Sequence, residues 1–209
     1  MTKQALLALE DGSVYHGFSF GSTVEAIGEV VFNTSMAGYQ EILTDPSYAG
    51  QIVVPTYPLI GNYGTNREDN ESIRVQVTGF VVRQACPKPS HYLSKQNIYK
   101  YLEDNNTPAL YGVDTRAITR QLRSAGVMMG MLTTEKTAEE ALATLKEAPS
   151  YEDKDFVKKV STPASYQWPR KGQADYKIAL LDCGVKFNIM RILSQMGCAV
   201  TALPCTTSA

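Results

Sequence analysis

The 209-residue chain is poor in the groups that most often carry chemistry. It has two histidines, His16 and His91, and four cysteines, at 86, 183, 198 and 205, with no Cys-x-x-Cys pair. That scarcity weighs against a Cys/His zinc site, whose ligands come in close pairs, and leaves little for histidine acid–base chemistry. Neither histidine has a Cys, Asp or Glu at ligand or triad spacing, so both read as structural. An excess of one charge sign is also missing: 20 Lys+Arg against 21 Asp+Glu leave a formal net charge of −1. A chain so balanced is not built as a general binder of nucleic acid or membrane surfaces. No stretch approaches the roughly 18 uninterrupted apolar residues of a membrane span. Met1-Thr2-Lys3-Gln4 runs straight into a short alternating strand pattern without the apolar core of a signal peptide, so reduced thiols in a cytoplasmic protein are expected. There is no internal repeat and no low-complexity tract. At 44% hydrophobic and 20% charged residues, the composition is that of an ordinary globular protein.

The first third reads as β structure. Gln4 to Glu10 is a short apolar run, Asp11-Gly12-Ser13 is a turn signal, and Val14 to Phe20 completes a hairpin. Gly28 to Asn33, Gln51 to Val54 (ended by Pro55) and the alternating Arg74 to Arg83 are further strands. Between them lie two turn-rich stretches, Thr44-Asp45-Pro46-Ser47-Tyr48 and Tyr57 to Gly64. Asp-Pro starts turns because proline fixes its own φ and pushes the preceding residue out of the helical region.

Beyond Pro87 and Pro89 the pattern becomes helical. Ser94 is the expected N-cap of a helix with Ile98, Tyr101 and Leu102 inward. Asp114 or Thr115 caps a second helix running to about Ser124, with Ile118 and Leu122 inward. On it Arg116, Arg120 and Arg123 share one face, either a solvated helix surface or a contact for an acidic partner. Val127 to Leu132 is a short strand, and Thr137 to Ala148 a helix ended by Pro149. Residues 151–176, with Pro163, Pro169 and Gly172, read as a linker between a unit at 1–150 and another at 177–209. The latter holds a strand from Lys177 to Asp182, a Cys183-Gly184 turn, a helix from Lys186 to Gln195 and a strand from Cys198 to Leu203. That is the opening βαβ unit of a parallel sheet. Such a short unit cannot cover both faces of its own sheet, so a truncated second domain with open strand edges is expected.

Several blocks carry a family resemblance. They are Leu9-Glu10-Asp11-Gly12 with Gly17; Gly28 to Thr34, then Met36 to Tyr48, then Gln51-Ile52-Val53; Tyr57 to Gly64; Gly112 to Arg123; and Asp182 to Arg191. On these the chain resembles the small, glutamine-hydrolysing subunit of carbamoyl-phosphate synthetase along essentially its whole length. The resemblance implies an α/β fold. An N-terminal α/β domain with a β-rich first half is followed by the truncated start of a doubly wound, parallel-sheet class I glutamine amidotransferase domain. It also implies a cytoplasmic heterodimer in which ammonia from L-glutamine passes to a large subunit. That subunit makes carbamoyl phosphate from bicarbonate and ATP with Mg2+, for arginine and pyrimidine synthesis. No cofactor is implied in this chain, and neither nucleic acid nor membrane is implied as a partner.

Amide hydrolysis in this family resembles thiolate catalysis. It uses a Cys in a Gly-x-Cys-x-Gly elbow, a His that takes the thiol proton, a Glu that orients it and a Gly-rich oxyanion loop. None of these motifs occurs in the 209 residues. Cys86 sits in Gln-Ala-Cys-Pro, Cys183 in Leu-Asp-Cys-Gly, Cys198 in Gly-Cys-Ala-Val and Cys205 in Leu-Pro-Cys-Thr. Each reads as an ordinary thiol, although Cys183 follows a strand end where α/β sites form. No catalytic residue is assigned within the chain. The nucleophile, His and Glu are expected beyond Ala209, and the chain alone is expected to be inactive. A protein that stops there and only docks or regulates a synthetase is the other reading. One site residue carries over: Ser47, in Asp45-Pro46-Ser47-Tyr48, matches the serine that contacts glutamine in the family. A hydroxyl on a rigid turn donates to a carboxylate or accepts from an ammonium, although a turn serine needs no function at all. Tyr57, Asn62 and Tyr63 read either as a packed aromatic loop or as lining for a subunit interface or ammonia route.

Overall fold

The computed structural model describes residues 3–170 and 172–208. Seven strands close into a barrel: β1 (Gln4–Leu9), β2 (Val14–Gly21), β3 (Ala26–Asn33), β4 (Gln51–Pro55), β6 (Gly79–Val82), β8 (Pro108–Tyr111) and β9 (Met128–Thr133). Their spatial order is β1-β2-β8-β6-β4-β3-β9, with β9 returning to β1. The expected hairpin is there, with Ala8 opposite Val14. β3, β4, β6 and β8 run parallel, while the remaining pairs are antiparallel. A short pair, β5 (Leu59–Ile60) and β7 (Gln84–Ala85), lies outside the barrel.

Period-two alternation divides each barrel strand between two environments. Leu7, Leu9, Val30, Ile52, Val54 and Leu110 form one buried cluster. Leu6 and Ala8 pack instead with Met131 beneath α4 (Ala138–Glu147). Val53, Phe80 and Ala109 pack with α1 (Tyr39–Thr44) and α2 (Ile98–Asp104). Strands covered on both faces explain why β1 and β4 are continuous apolar runs rather than alternating ones. Ile118 and Leu122 of α3 (Thr115–Ala125) join the first cluster, whose strand members all point inward. A helix reaches such residues only at a barrel mouth, so α3 stops one end.

Several expectations are met residue by residue. Asp114 caps α3, its carboxylate accepting from the Arg116 and Ala117 N–H groups. Thr137 and Glu140 make a reciprocal capping box on α4. Two expectations need correction. The helix after the prolines is capped by Asn97, not Ser94, because Asn97 Oδ1 accepts the Lys100 N–H. The strand expected at Arg74 to Arg83 is confined to Gly79–Val82, since the backbone N–H groups of Gln76 and Thr78 go to Leu43 and Gln51. Tyr39–Thr44 is also helical, because Tyr39, Ile42 and Leu43 bury against β4 and β6.

The expected βαβ unit is present: β11 (Tyr176–Asp182), α6 (Phe187–Gln195) and β12 (Cys198–Pro204), with β11 and β12 parallel from Tyr176↔Cys198 to Asp182↔Pro204. β10 (Tyr166–Gln167) adds to β12 antiparallel, giving the order β10-β12-β11. Met190, Val200 and Ala202 form its small core, while Leu181, Ile189 and Ile192 are about half exposed. The segment read as a linker carries α5 (Phe156–Val160) as well as β10. It is strapped to the barrel: Tyr151 Oη donates to the Ala49 carbonyl, and Phe156 lies on Gly50.

Candidate functional site

Ser47 lies at the end of α1, and the geometry there follows from three residues. Pro46 forces Asp45 into an extended conformation (φ −70°, ψ 119°), which terminates α1. The Asp45 carboxylate then accepts the Ser47 N–H at 2.9 Å and starts a single 3-10 turn, Pro46–Tyr48. The turn is therefore closed by Asp45, not by the serine hydroxyl. Ser47 is exposed, and among the described residues its hydroxyl makes no hydrogen bond. Tyr48, the next residue, is fixed by accepting from Asn33 Nδ2 at 2.9 Å.

The second side of the site comes from the βαβ unit. Lys186 Nζ sits 2.7 Å from Asp45 Oδ2, whose side chain is 9% exposed. The Asp45 carboxylate raises the Lys186 pKa above the usual lysine value, chiefly through that hydrogen bond. Lys186 closes the β11–α6 turn, which Asp182 organises by accepting from the Gly184 and Val185 N–H groups, both at 2.9 Å. Gly184, at φ 102°, lies against Pro46 and Val160, where any side chain would be crowded and strained. The Asp-Pro-Ser turn and the β11–α6 turn thus meet face to face.

Beside them is a cleft of about 740 Å³ at the carboxyl ends of β11 and β12, lined in part by Pro46, Arg74, Val160, Asp182, Phe187 and Cys205. Carboxyl ends of parallel strands are where α/β folds hold ligands. Ser47 is not in the lining; Pro46 is.

The remaining candidates are scattered. Cys198 is buried in β12, Cys86 and Cys205 are partly buried, and Cys183 is exposed. His16 faces solvent on β2, and exposed His91 accepts from the Leu93 N–H. Among the described residues no group of three or more His, Cys, Asp or Glu is placed to hold a metal ion, and no helix is long and apolar enough to cross a membrane. Arg116, Arg120 and Arg123 are all exposed. Tyr63 packs: its ring stacks on Tyr39 at 4.2 Å and its hydroxyl accepts from the Gly38 and Tyr39 N–H groups. Tyr57 is exposed. Sequence reasoning passed over Asp45 and Lys186 as a pair because neither sits in a local pattern that names the other.

The profile of the carbamoyl-phosphate synthase small chain, CPSase domain, matches residues 7–132. The carbamoyl phosphate synthase small chain of Syntrophotalea carbinolica is 45% identical over 219 aligned positions, covering 99% of this chain and 58% of that protein. The small chain of Aquifex aeolicus is 47% identical, covering 98% and 58%, and that of Akkermansia muciniphila 48% identical, covering 99% and 58%. The chain thus spans less than two thirds of the length of these relatives, and the matches run through both the barrel and the βαβ unit. The chain belongs to the carbamoyl-phosphate synthase small chain family.

Proposed function

We propose that this chain forms part of the glutamine-hydrolysing small subunit of a carbamoyl-phosphate synthetase, and that Ser47 is a contact for L-glutamine. In this reading 1–150 is the N-terminal domain, 151–176 connects, and 177–209 begins the amidotransferase domain. The observation that carries the reading is the free, exposed Ser47 hydroxyl on a turn locked from both sides, by Asp45 and through Asp45 by Lys186. A hydroxyl on a fixed backbone turn binds a zwitterionic amino acid at small entropic cost, because only the short serine side chain has to be ordered.

The four cysteines lack glycine on both sides at the elbow spacing, so the thiolate nucleophile and its His and Glu partners belong to the amidotransferase region outside these 209 residues. The larger partner chain takes the ammonia and uses bicarbonate, ATP and Mg2+ to make carbamoyl phosphate, for arginine and pyrimidine synthesis in the cytoplasm. The test is ammonia release from glutamine by the 209-residue chain, with and without the larger chain, beside the full-length subunit. Turnover only by the full-length subunit supports the reading. Turnover by the 209-residue chain, lost on substitution of one of its cysteines, overturns it. In the full-length complex Ser47→Ala is expected to raise the KM for glutamine about tenfold, the value of one or two hydrogen bonds, and to leave ammonia-dependent synthesis unchanged.

A further inference from the structure

We propose that Glu71 is a positioning residue for the glutamine site, holding the β11–α6 turn in place against the Asp45–Pro46–Ser47 turn; the proposal rests on the assignment of Ser47 to glutamine. α6 makes no side-chain cap of its own: its N-cap residue, Lys186, is turned toward Asp45. The first N–H groups of a helix need acceptors. Here they come from a loop of the barrel 117 residues away in sequence. The Glu71 carbonyl accepts the Phe187 N–H at 2.8 Å, and Glu71 Oε2 accepts the Asn188 N–H at 2.9 Å. The Glu71 residue is 9% exposed, and its negative charge lies at the positive end of the helix.

One turn along α6, Arg191 donates to the Glu68 and Asn70 carbonyls, both at 2.7 Å, and reaches Glu71 Oε1 at 3.9 Å. The loop itself is tied to α1: the Glu71 N–H donates to Thr44 Oγ1 at 2.8 Å, and the Ser72 hydroxyl donates to the Thr44 carbonyl at 2.6 Å. Thr44 immediately precedes Asp45. A short rigid path therefore runs from the first turn of α6 through Glu71 and Thr44 to the Asp45–Pro46–Ser47 turn. The Lys186–Asp45 pair closes the loop from the other side. Two anchors, one at the start of α6 and one at its N-cap, fix both the distance and the orientation of the β11–α6 turn relative to Ser47. One anchor alone leaves a pivot.

The experiment uses the full-length small chain assembled with its larger partner. It compares Glu71→Ala, Glu71→Gln, Arg191→Met and Ser47→Ala by steady-state kinetics with glutamine and, separately, with ammonia. Glu71→Ala is expected to raise the KM for glutamine roughly 3- to 10-fold with ammonia-dependent turnover unchanged, since a misplaced site loses binding rather than downstream chemistry. Glu71→Gln keeps an oxygen that accepts the Asn188 N–H and is expected to recover most of that loss. A merely structural role lowers the glutamine and ammonia reactions together and leaves KM in place. Should Glu71→Ala fail to fold, Arg191→Met loosens the same clamp from the α6 side and is expected to raise the glutamine KM on its own. A Ser47→Ala effect on KM, with none from Glu71→Ala or Arg191→Met, overturns this proposal alone. No effect of Ser47→Ala overturns the glutamine assignment beneath it.

Discussion

Lys186 Nζ lies 2.7 Å from Asp45 Oδ2, so the residue that opens the last helix is bound to the carboxylate that shapes the Ser47 turn. The pair has one nearly buried member and one partly exposed one: the Asp45 side chain is 9% exposed and the Lys186 side chain 43%. That asymmetry sets what its loss does.

Lys186→Met strands the Asp45 carboxylate in a poorly solvated place. Breaking a fully buried pair costs roughly 3–5 kcal/mol, and the solvent around Lys186 reduces this to about 1–2 kcal/mol. Thermal unfolding of the chain is expected to move down by about 2–8 °C. The folded-state pKa of Lys186 is raised above its unfolded value, so the stabilisation is complete below the ordinary lysine range. It fades as pH rises from about 10.4 through the raised value. Unfolding midpoints between pH 9 and 11.5 are expected to fall more steeply for the wild type than for the variant; parallel curves exclude the pair as a contributor.

Glu41 predicts a decline of the same sign, in the acid range. Its Oε2 is buried and has no hydrogen-bond partner among the described residues. Burial is the largest cause of a pKa raised above the usual glutamate value, with Asp69 and Glu71 adding to it. The unfolded chain releases this proton first, so stability declines as pH rises from about 4.5 through the raised value. Glu41→Gln removes the charge and keeps the shape. It is expected to stabilise the chain at neutral pH and to flatten the decline, as read from urea midpoints between pH 4 and 7. A variant less stable than wild type at pH 7 counts against the burial of an ionised carboxylate there.

Gly50 tests the strap. Its φ is 78°, and a methyl group on it overlaps the Phe156 ring, which also stacks on Tyr151. Gly50→Ala combines backbone strain with the displacement of α5, an expected loss of about 1–3 kcal/mol. Trypsin is expected to cut faster at Lys154, Lys158 and Lys159. In Gly50→Ala/Phe156→Ala the ring is gone, and the two losses are expected to combine to less than their sum. Full additivity removes the ring from the explanation.

The thiols rank by exposure. Cys183 is exposed, Cys86 and Cys205 are partly buried, and Cys198 is buried in β12. Native labelling with a thiol reagent, followed by peptide mapping, is expected to modify Cys183 first and Cys198 only on unfolding. Early modification of Cys198 means the small sheet opens.

Local chemistry makes much of the chain legible in its sequence. The Asp-Gly-Ser turn marked the first hairpin, Asp114-Thr115 and Thr137 marked two helix starts, and strand–turn–helix–strand marked the parallel unit. Each signal acts over a few residues, through φ preferences, caps and side-chain period, which sequence displays directly. The short apolar run of β1 showed one strand of a hairpin. It did not show that β9, from far along the chain, closes the sheet into a barrel. Closure depends on which strands meet, and strand pairing carries no local mark.

The site divides in the same way. The resemblance picked out Ser47, and the sequence explained why its turn exists, since Pro46 forbids α1 to continue. Which group closes the turn, and what holds it, was decided by tertiary structure. Asp45 is claimed by Lys186, and the first turn of α6 is capped by Glu71 from the barrel, 117 residues from Asn188. A carboxylate near a proline and a lysine near a helix start are common in any sequence. They become a junction only when folding takes the Asp45 carboxylate out of water, because a buried charge must find its partner wherever the chain brings one.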